Sequence, residues 1–354
     1  MANYSKVLSG LRDTDSRRLA RYGGLSVGAA VALAGMMALR RNRRSLSGRV
    51  ALITGGSRGL GLELSRRLAA EGCRLILVSR DKDELERAVA ELSQSAIDVC
   101  AIPCDLTQKA EIRHMMQEAL HRFRRVDILI NNAGEITVGP IDAFSELEFE
   151  RAMDLMFWAG VRTTLSLLPH LLRSGDADIV NVTSIGGKIA VPHLLPYTAA
   201  KFAMTGFSEG LQSELRGRGV HVLTVTPGLM RTGGHLHAQF AGDHDHEYRW
   251  FAVGATIPGL SMNVTRAASQ IVDALIRRKR EIALTLAAKS AIRIHGAFPT
   301  TALRVAELAS SLILPKPSRE TSHKDGKELH ARQPALFKTF MQFGMKAARS
   351  QHQL

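Results

Sequence analysis

Short apolar runs recur along the chain, and most of them end in glycine, polar or acidic residues. Between them, apolar residues recur at helical spacing, as in DKDELERAVAELSQ at 81–94 and in the stretch 146–172. This alternation predicts βαβ units around a parallel sheet, so the expected fold class is α/β with a doubly wound sheet. The predicted strands are RVALITGG at 49–56, CRLILVSR at 73–80, IDVCAIPCD at 97–105, VDILINNAG at 126–134, DADIVNVTS at 176–184, GVHVLTVTPG at 219–228 and EIALTL at 281–286.

The composition fits one large α/β domain with an extension at each end. The 354 residues are 45% hydrophobic, which is enough for a substantial core. We predict a basic arm at 1–47, the α/β domain at 48–286, and a helical or flexible basic extension at 287–354. The three cysteines, Cys73, Cys100 and Cys104, are too few and uneven for a disulfide framework, so we interpret them as buried thiols in a reducing compartment.

The net charge of +14 belongs to the two ends of the chain. Residues 1–49 carry 10 Lys/Arg against 2 Asp/Glu, and residues 277–354 carry 15 against 5. The centre, residues 50–276, is mildly acidic, with 22 against 26. A nucleic-acid surface would be expected on the folded domain, so no nucleic-acid partner is predicted. Attraction of the basic ends to anionic lipid is the better interpretation.

Residues 22–39, YGGLSVGAAVALAGMMAL, are uncharged and are flanked by arginines. A helix of this length measures roughly 27 Å, close to the thickness of a bilayer core. We therefore expect a membrane-associated protein, with a candidate transmembrane helix at 22–39 and the large domain facing the cytosol. A helix lying on the membrane surface and a soluble or cleaved segment are the alternatives.

Two motifs point to chemistry. TGGSRGLG at 54–61, called the glycine turn below, follows a predicted strand and opens a predicted helix. Glycines at such a place let the backbone approach a pyrophosphate at the helix N-terminus. YTAAK at 197–201 places Tyr197 and Lys201 one helical turn apart. A nearby cation favours the phenolate and lowers the pKa of a phenol, so this pair could exchange a proton with a substrate oxygen.

These motifs together resemble the short-chain dehydrogenase/reductase family. The glycine turn resembles its T-G-x-x-x-G-x-G pattern. NNAG at 131–134, Ser184 thirteen residues before Tyr197, and PG at 227–228 follow in the family's order. The resemblance covers about residues 48–232. It implies a single Rossmann-type catalytic domain at 48–286, with about seven parallel strands and a nicotinamide cofactor.

The resemblance also implies residue roles by matching position. Tyr197 is the expected catalytic acid or base, Lys201 lowers its pKa and holds the ribose, and Ser184 binds the substrate oxygen. Asn131 is expected to support the central strand and Asp105 to reach the adenine. The residues expected to bind the cofactor are Thr54, Gly55, Ser57, Arg58, Gly59, Leu60, Gly61, Ser79, Arg80, Asp105, Leu106, Asn131, Ala133, Gly134, Tyr197, Lys201, Pro227, Gly228 and Thr232.

The end of the second predicted strand favours NADP(H) as the cofactor. NAD is bound there through an acidic residue, but this chain has Ser79 followed by Arg80. Arg58 lies inside the glycine turn. Two guanidinium groups suit a ribose 2′-phosphate, because they form charge-assisted hydrogen bonds with it. The alternative is that both arginines are solvated surface charges.

Met156 departs from the family pattern. It occupies the position, thirteen residues before Pro169, where the family often has an asparagine that holds a helix bend and a relay water. A thioether cannot donate a hydrogen bond. The main hypothesis is an NADP(H)-dependent oxidoreductase, and the alternative is a catalytically impaired cofactor-binding or scaffold protein on the same fold.

The loop after the sixth predicted strand points to the substrate. Residues 233–262 contain four histidines, but their spacing does not match a known pattern of metal ligands, so no metal is expected. Phe240, Trp250 and Phe251 suggest an apolar mouth for a lipophilic carbonyl or alcohol, such as a sterol, retinoid, sphingoid or fatty aldehyde. Residues 300–314 and 334–350 are expected to form amphipathic helices, the second of them basic, and 316–333 to be flexible. The resemblance implies that dimers or tetramers are common assemblies, with a homodimer as the candidate here, and a membrane anchor could change that.

Overall fold

The computed structural model describes residues 44–95, 97–257 and 260–353. The chain divides into two compact units, Met1–Ser45 and Leu46–Leu354, and every element named below belongs to the second. The strands are β1 (Val50–Thr54), β2 (Arg74–Ser79), β3 (Val99–Pro103), β4 (Ile128–Asn131), β5 (Thr137–Val138), β6 (Ala177–Val182), β7 (Val220–Thr226), β8 (Met230–Arg231), β9 (Gln239–Phe240), β10 (Met262–Asn263), β11 (Glu281–Ala283) and β12 (Lys324–Asp325). The α-helices are α1 (Gly59–Ala70), α2 (Lys82–Leu92), α3 (Lys109–Phe123), α4 (Glu146–Met153), α5 (Ala159–Ser174), α6 (Leu195–Glu214), α7 (His244–Thr256), α8 (Val264–Ile276), α9 (Leu286–Ala297), α10 (Pro299–Ile313), α11 (Gly326–Arg332), α12 (Ala335–Phe340) and α13 (Gln342–Ser350).

The seven predicted strands form one parallel sheet in the order β11-β7-β6-β4-β1-β2-β3. This confirms the α/β fold with a doubly wound sheet. After β3 the chain returns to the other side of β1, so the strand order reverses between β1 and β4. The loops that follow these two strands run in opposite directions and leave a crevice at their carboxyl ends.

Helices cover both faces of the sheet. Every residue of β1 is buried, and its side chains alternate between two apolar clusters. Ala51 and Ile53 pack with residues of α1, α2 and α8, whereas Val50 and Leu52 pack with residues of α3, α5 and α6. A strand that is buried on both faces needs apolar residues at successive positions, which explains why the sequence shows apolar runs rather than alternation.

A buried polar network fixes α5 and α6 to the middle of the sheet. Asn131 Nδ2 at the end of β4 donates to Asn181 Oδ1 on β6 over 2.9 Å. Asn181 Nδ2 donates to Ser208 Oγ on α6 over 3.0 Å, and Thr163 Oγ1 on α5 donates to Asn131 Oδ1 over 2.8 Å. All four side chains are buried, so breaking one bond would leave unsatisfied polar atoms inside the fold. The network thereby sets the position of the helix that carries YTAAK.

The extension after β11 folds back onto the domain. The stretch expected to be flexible contains β12, which pairs antiparallel with β9, and α11, where His330 Nδ1 lies 2.8 Å from the Tyr248 hydroxyl. The region expected to form one basic amphipathic helix is divided into α12 and α13, and Ala348 on α13 is fully buried. In contrast, α10 buries none of its residues, and Leu312 is 85% exposed.

The prediction of a membrane-associated protein is contradicted by the described helices. No helix in 44–95, 97–257 or 260–353 is both long and apolar enough to cross a membrane. The apolar helix α10 has 15 residues, whereas a span needs about 20. Segment 22–39, on which the prediction rested, lies outside the described residues.

Gly61 allows a close backbone approach in the first turn of α1. A Cβ at this position would lie 1.9 Å from the carbonyl oxygen of Gly55. We expect Gly61→Ala to lower the free energy of unfolding by about 2 kcal/mol, because the helix or the turn must move. Gly210 on α6 is exposed, with nothing within 4 Å of an added Cβ, so Gly210→Ala should raise it by about 0.5–1 kcal/mol. Urea unfolding of both variants is the measurement, and a neutral Gly61→Ala would contradict the close approach.

Candidate active site

A large cavity opens at the carboxyl ends of the strands, in the crevice left by the strand reversal. Its volume of about 610 Å³ is typical of a small-molecule site. The glycine turn borders one end, and the loops after β6 and β7 border the other. The predicted site residues that line it are Gly55, Ser57, Arg58, Gly59, Leu60, Ser79, Arg80, Leu106, Ala133, Gly134, Ser184, Tyr197, Lys201, Pro227, Gly228 and Thr232.

The glycine turn bends sharply between β1 and α1. Gly55 and Gly59 have φ values of 64° and 56°, a left-handed region that suits glycine. Thr54 ties the turn to β4, because its Oγ1 donates to the Ile130 carbonyl over 3.2 Å and accepts from the Asn132 N–H over 2.9 Å. The turn therefore presents the N-terminal N–H groups of α1 to the cavity, where an anion would be stabilised.

Four predicted cofactor residues stand behind the cavity wall: Thr54, Gly61, Asp105 and Asn131. Thr54 and Gly61 shape the glycine turn, and Asn131 supports the sheet through the polar network. The Asp105 carboxylate accepts from the N–H and hydroxyl of Thr107, over 3.0 and 2.9 Å. Its neighbours Cys104 and Leu106 line the cavity, and the adenine contact expected of Asp105 stays a prediction.

Ser184, Tyr197 and Lys201 meet on one wall of the cavity. Ser184 follows β6, and its Oγ accepts from the Gly186 N–H over 3.0 Å at the start of a 3₁₀ turn. Tyr197 is hydrogen-bonded to Ser184. Lys201 Nζ lies 5.7 Å from the centre of the Tyr197 ring, as helical spacing predicts. The structure thus brings together the three residues that the sequence singled out for catalysis.

Burial controls the electrostatics of this trio. It lowers the pKa of Lys201 from 10.5 to about 8. It also raises the pKa of Tyr197, and the hydrogen bond with Ser184 opposes this rise. The phenol is therefore neutral at pH 7 and can donate a proton. Lys201 Nζ donates to the Val182 carbonyl over 3.0 Å, which fixes the ammonium beside the phenol.

Met156 lies in a π-helical turn, Asp154–Trp158, between α4 and α5. Its buried side chain packs with Ala200 and Tyr197. A cavity of only about 10 Å³ remains among residues that include Met156 and Lys201, close to the minimum for one water. The helix is therefore distorted here without an asparagine, and the thioether fills space beside the lysine.

The two arginines expected at a 2′-phosphate have different surroundings. Arg58 Nη1 donates to the buried carboxylate of Glu84 over 2.7 Å and lies 3.2 Å from His237 Nδ1. Arg80 is 60% exposed, and its ion pair with Glu135 is long, at 3.9 Å. Long exposed pairs contribute little, so Arg80 keeps an accessible charge. Arg58 already forms an ion pair with Glu84, and its role at a 2′-phosphate stays a prediction.

The part of the cavity beyond Tyr197 is apolar. Trp250 on α7 is held in place by its indole N–H, which donates to the buried Glu247 carboxylate over 2.6 Å. Phe240, in contrast, belongs to the core and does not line the cavity. The apolar lining consists of Ile136, Val191, Leu194, Leu229, Met230, Trp250, Phe251, Ala255 and Leu260.

The histidines near this region are engaged separately. His235 is buried in the wall, and His237 bonds to Arg58 and to the C-terminal end of the chain. His244 and His246 begin α7, where they contact the Ser322 carbonyl and Asp243. Across the described ranges, no group of three His, Cys, Asp or Glu is placed to hold a metal ion.

Two parts of the wall were missed by sequence reasoning. Thr285, Ala288 and Ala291 approach from the start of α9, and Gln353 approaches from the end of the chain. Neither segment contains a motif. Both reach the cavity through tertiary packing between segments far apart in sequence, which no local pattern reveals.

The cavity wall fits a nicotinamide dinucleotide. Glycine is required where a side chain would intrude, since a Cβ at Gly186 would lie 3.2 Å from the Tyr197 ring and one at Gly228 would lie 2.9 Å from Thr285 Oγ1. The N-terminal amides of α1 suit a pyrophosphate, and Arg80 adds positive charge nearby. The residues present thus suit an elongated anion with flat rings at its ends.

Comparison with known proteins agrees with this site. Residues 49–239 match the short chain dehydrogenase family. The fatty acyl-CoA reductase of Acinetobacter baylyi is 33% identical over 246 residues, covering 69% of this chain and 78% of the relative. Dehydrogenase/reductase SDR family member 7B of Danio rerio is 29% identical over 310 residues, covering 86% and 95%. The crystal structure of a short-chain dehydrogenase from Streptomyces avermitilis is 29% identical and has a TM-score of 0.65, covering 75% of this chain and 98% of that one. The chain therefore belongs to the short-chain dehydrogenase/reductase family, an oxidoreductase family whose fold binds a nicotinamide cofactor.

Proposed function

We propose that the protein is an NADP(H)-dependent oxidoreductase that interconverts a carbonyl and an alcohol on a lipophilic substrate. The observation that carries this proposal is the meeting of Ser184, Tyr197 and Lys201 between two unlike halves of one cavity. One half has the glycine turn and Arg80, and the other has the apolar lining. A cofactor and an apolar substrate would meet at the trio.

The trio suits proton transfer to a substrate oxygen. The glycine turn and the loop after β7 would hold a nicotinamide cofactor, which would supply a hydride to a carbonyl carbon. Ser184 Oγ donates a hydrogen bond to the carbonyl oxygen, and the neutral Tyr197 hydroxyl gives that oxygen its proton. Lys201 Nζ, positioned by the Val182 carbonyl, favours the phenolate that remains.

A lipophilic substrate is supported by the apolar half of the cavity. Trp250 and Phe251 from α7 face the loops after β4 and β6, so an alkyl chain or fused ring would lose its contact with water there. The relative from Acinetobacter baylyi is named a fatty acyl-CoA reductase. Its name supports a carbonyl on a long apolar chain for this protein as well.

NADP(H) is supported by the end of β2. Ser79 stands where a carboxylate would bind an unphosphorylated ribose, and the exposed Arg80 follows it on the cavity wall. A 2′-phosphate would pair with this guanidinium by charge-assisted hydrogen bonds.

A cofactor-binding protein with little turnover is the second candidate. The buried Met156 beside Lys201 supports it, because the thioether leaves room for at most one water at the lysine. Turnover separates this candidate from the first.

Tyr197→Phe removes the proposed proton donor and keeps the ring. We expect NADPH oxidation with hydrophobic ketones and aldehydes to fall by at least about 100-fold, because general acid catalysis is lost. NADPH affinity, followed by fluorescence, should change by less than about threefold.

Tyr248→Phe is the matched control, since it removes a hydroxyl outside the cavity lining, and it should keep its turnover. Full activity of Tyr197→Phe would contradict the assigned proton donor. Tight NADPH binding by the wild type without turnover on the panel would favour the second candidate.

Arg80→Ser tests the cofactor. Loss of a charge-assisted contact should weaken NADPH binding by about 10- to 100-fold, and NADH binding should stay unchanged. Arg87→Ser removes an exposed arginine of α2 that does not line the cavity, so it should change neither affinity. Equal losses of NADPH and NADH affinity in Arg80→Ser would show that Arg80 does not read the 2′-phosphate.

The pKa of Lys201 predicts a pH-dependent stability. Because it is lowered to about 8 on folding, the unfolded chain binds more protons between pH 8 and the ordinary lysine value near ~10.4. Lys201 should therefore add a contribution to the free energy of unfolding that rises with pH through this window, against the opposite contribution of Cys73 and Cys104, whose pKa values burial raises. Lys201→Met should lack the rise and be more stable at pH 7 by roughly 2–3 kcal/mol, because the desolvation cost is gone.

Chemical denaturation at pH 7 and pH 10 measures this difference. Lys289→Met replaces an exposed lysine and should keep the rise seen in the wild type. If Lys201→Met shows the same rise as the wild type, the lowered pKa of Lys201 is contradicted.

A further inference from the structure

The C-terminal end of the chain lies in the cofactor half of the cavity. Residues 342–353, called the tail below, comprise α13 and the three residues that follow it. Gln351 and Gln353 are 2% and 6% exposed, and Gln353 lines the same cavity as the glycine turn. A polar terminus this deeply buried needs specific partners to offset its desolvation.

The tail bonds to the turn that the cofactor would use. The Gly59 N–H, the first amide of α1, donates to the Gln351 carbonyl over 3.0 Å. A Cβ at Gly59 would lie 2.7 Å from Gln353 Nε2, so the tail rests directly on the turn. Gln351 Nε2 also donates to Glu63 Oε2 over 3.1 Å on the next turn of α1.

A second set of contacts joins the tail to Arg58. His237 Nε2 lies 2.9 Å from the Gln353 carbonyl, so this nitrogen carries the proton and donates. Nδ1 is then free to accept from Arg58 Nη1 over 3.2 Å. One chain of hydrogen bonds therefore runs from Glu84 through Arg58 and His237 to the tail.

The tail is also packed against the loop that borders the nicotinamide end. Ala348 on α13 is fully buried, and a Cβ at Gly233 would lie 2.5 Å from Ala348 Cβ. Gly233 directly follows Thr232 of the cavity wall. The tail thus spans the cavity edge from the glycine turn to the loop after β8.

The fit of the tail is incomplete. The side-chain oxygens of Gln351 and Gln353 are buried without a hydrogen-bond partner among the described residues. Each such atom costs free energy while the tail is bound. A ligand that accepts more strongly from the Gly59 N–H can therefore displace the tail. A pyrophosphate is such a ligand, because it is anionic and lies at a helix N-terminus, whereas a peptide carbonyl is neutral.

We propose that the tail is an intramolecular competitor of the dinucleotide: residues 351–353 occupy the phosphate end of the cofactor site and must leave it before the cofactor binds. The Gly59 amide cannot serve the Gln351 carbonyl and a phosphate oxygen at once. This proposal rests on the proposed function. As a consequence, the apparent affinity for the cofactor equals the intrinsic affinity multiplied by the fraction of molecules in which the tail is released.

Ala348→Gln in the full chain tests the proposal, because a larger side chain cannot remain between α13 and Gly233. We expect the dissociation constant for NADPH, measured by fluorescence, to fall by about 10-fold. Ser350→Gln, on the exposed face of the same helix, is the matched control and should bind as the wild type does. Unchanged or weaker binding by a folded Ala348→Gln would overturn the proposal.

Hydrogen exchange on the wild type gives an independent measurement. Saturating NADPH should speed exchange in peptides that cover residues 342–353, while the buried strands keep their protection. NADPH binding without faster exchange of the tail overturns this proposal alone. No binding of NADPH by the wild type or either variant overturns the proposed function together with this proposal.

Discussion

The reversal of strand order between β1 and β4 is the constraint on which the site depends. The loops that follow these strands leave in opposite directions, so the glycine turn and the NNAG segment border one cavity, and the backbone N–H groups of Asn132 and Ala133 donate to Thr54 Oγ1. The buried amide of Asn131 then connects β4 to β6 and, through Asn181 and Ser208, to α6. The wall that carries Tyr197 is therefore positioned by the sheet itself.

Burial at this wall has opposite effects on the two titrating groups. It disfavours the charged form of both, so the pKa of the lysine is lowered and that of the tyrosine is raised. The neutral phenol can donate a proton. The lysine beside it is still charged at neutral pH and stabilises the phenolate that remains.

Much of the fold followed from the sequence, because burial on both faces of a strand produces an unbroken apolar run. The grouping of Ser184, Tyr197 and Lys201 was also predictable from the sequence, because helical spacing and motif order are local signals. The pairing of Arg58 with Glu84 was not, because it depends on how α2 packs beside the glycine turn.

The C-terminal extension shows the limits of composition most clearly. A polar stretch was interpreted as flexible, yet β12 pairs with β9, and α13 packs on the loop after β8. The membrane prediction rested on the composition of 22–39, and the described helices give it no support. Polarity and charge do not reveal which other segments of the fold a segment packs against, and these contacts determine its structure.

A crystal structure of the full chain with NADP⁺ would test the central claim most directly. The account predicts the pyrophosphate at the Gly59 amide, the nicotinamide ring beside Tyr197, and the 2′-phosphate on Arg80. A dinucleotide bound elsewhere on the surface, with the cavity between the glycine turn and Tyr197 left empty, would contradict it.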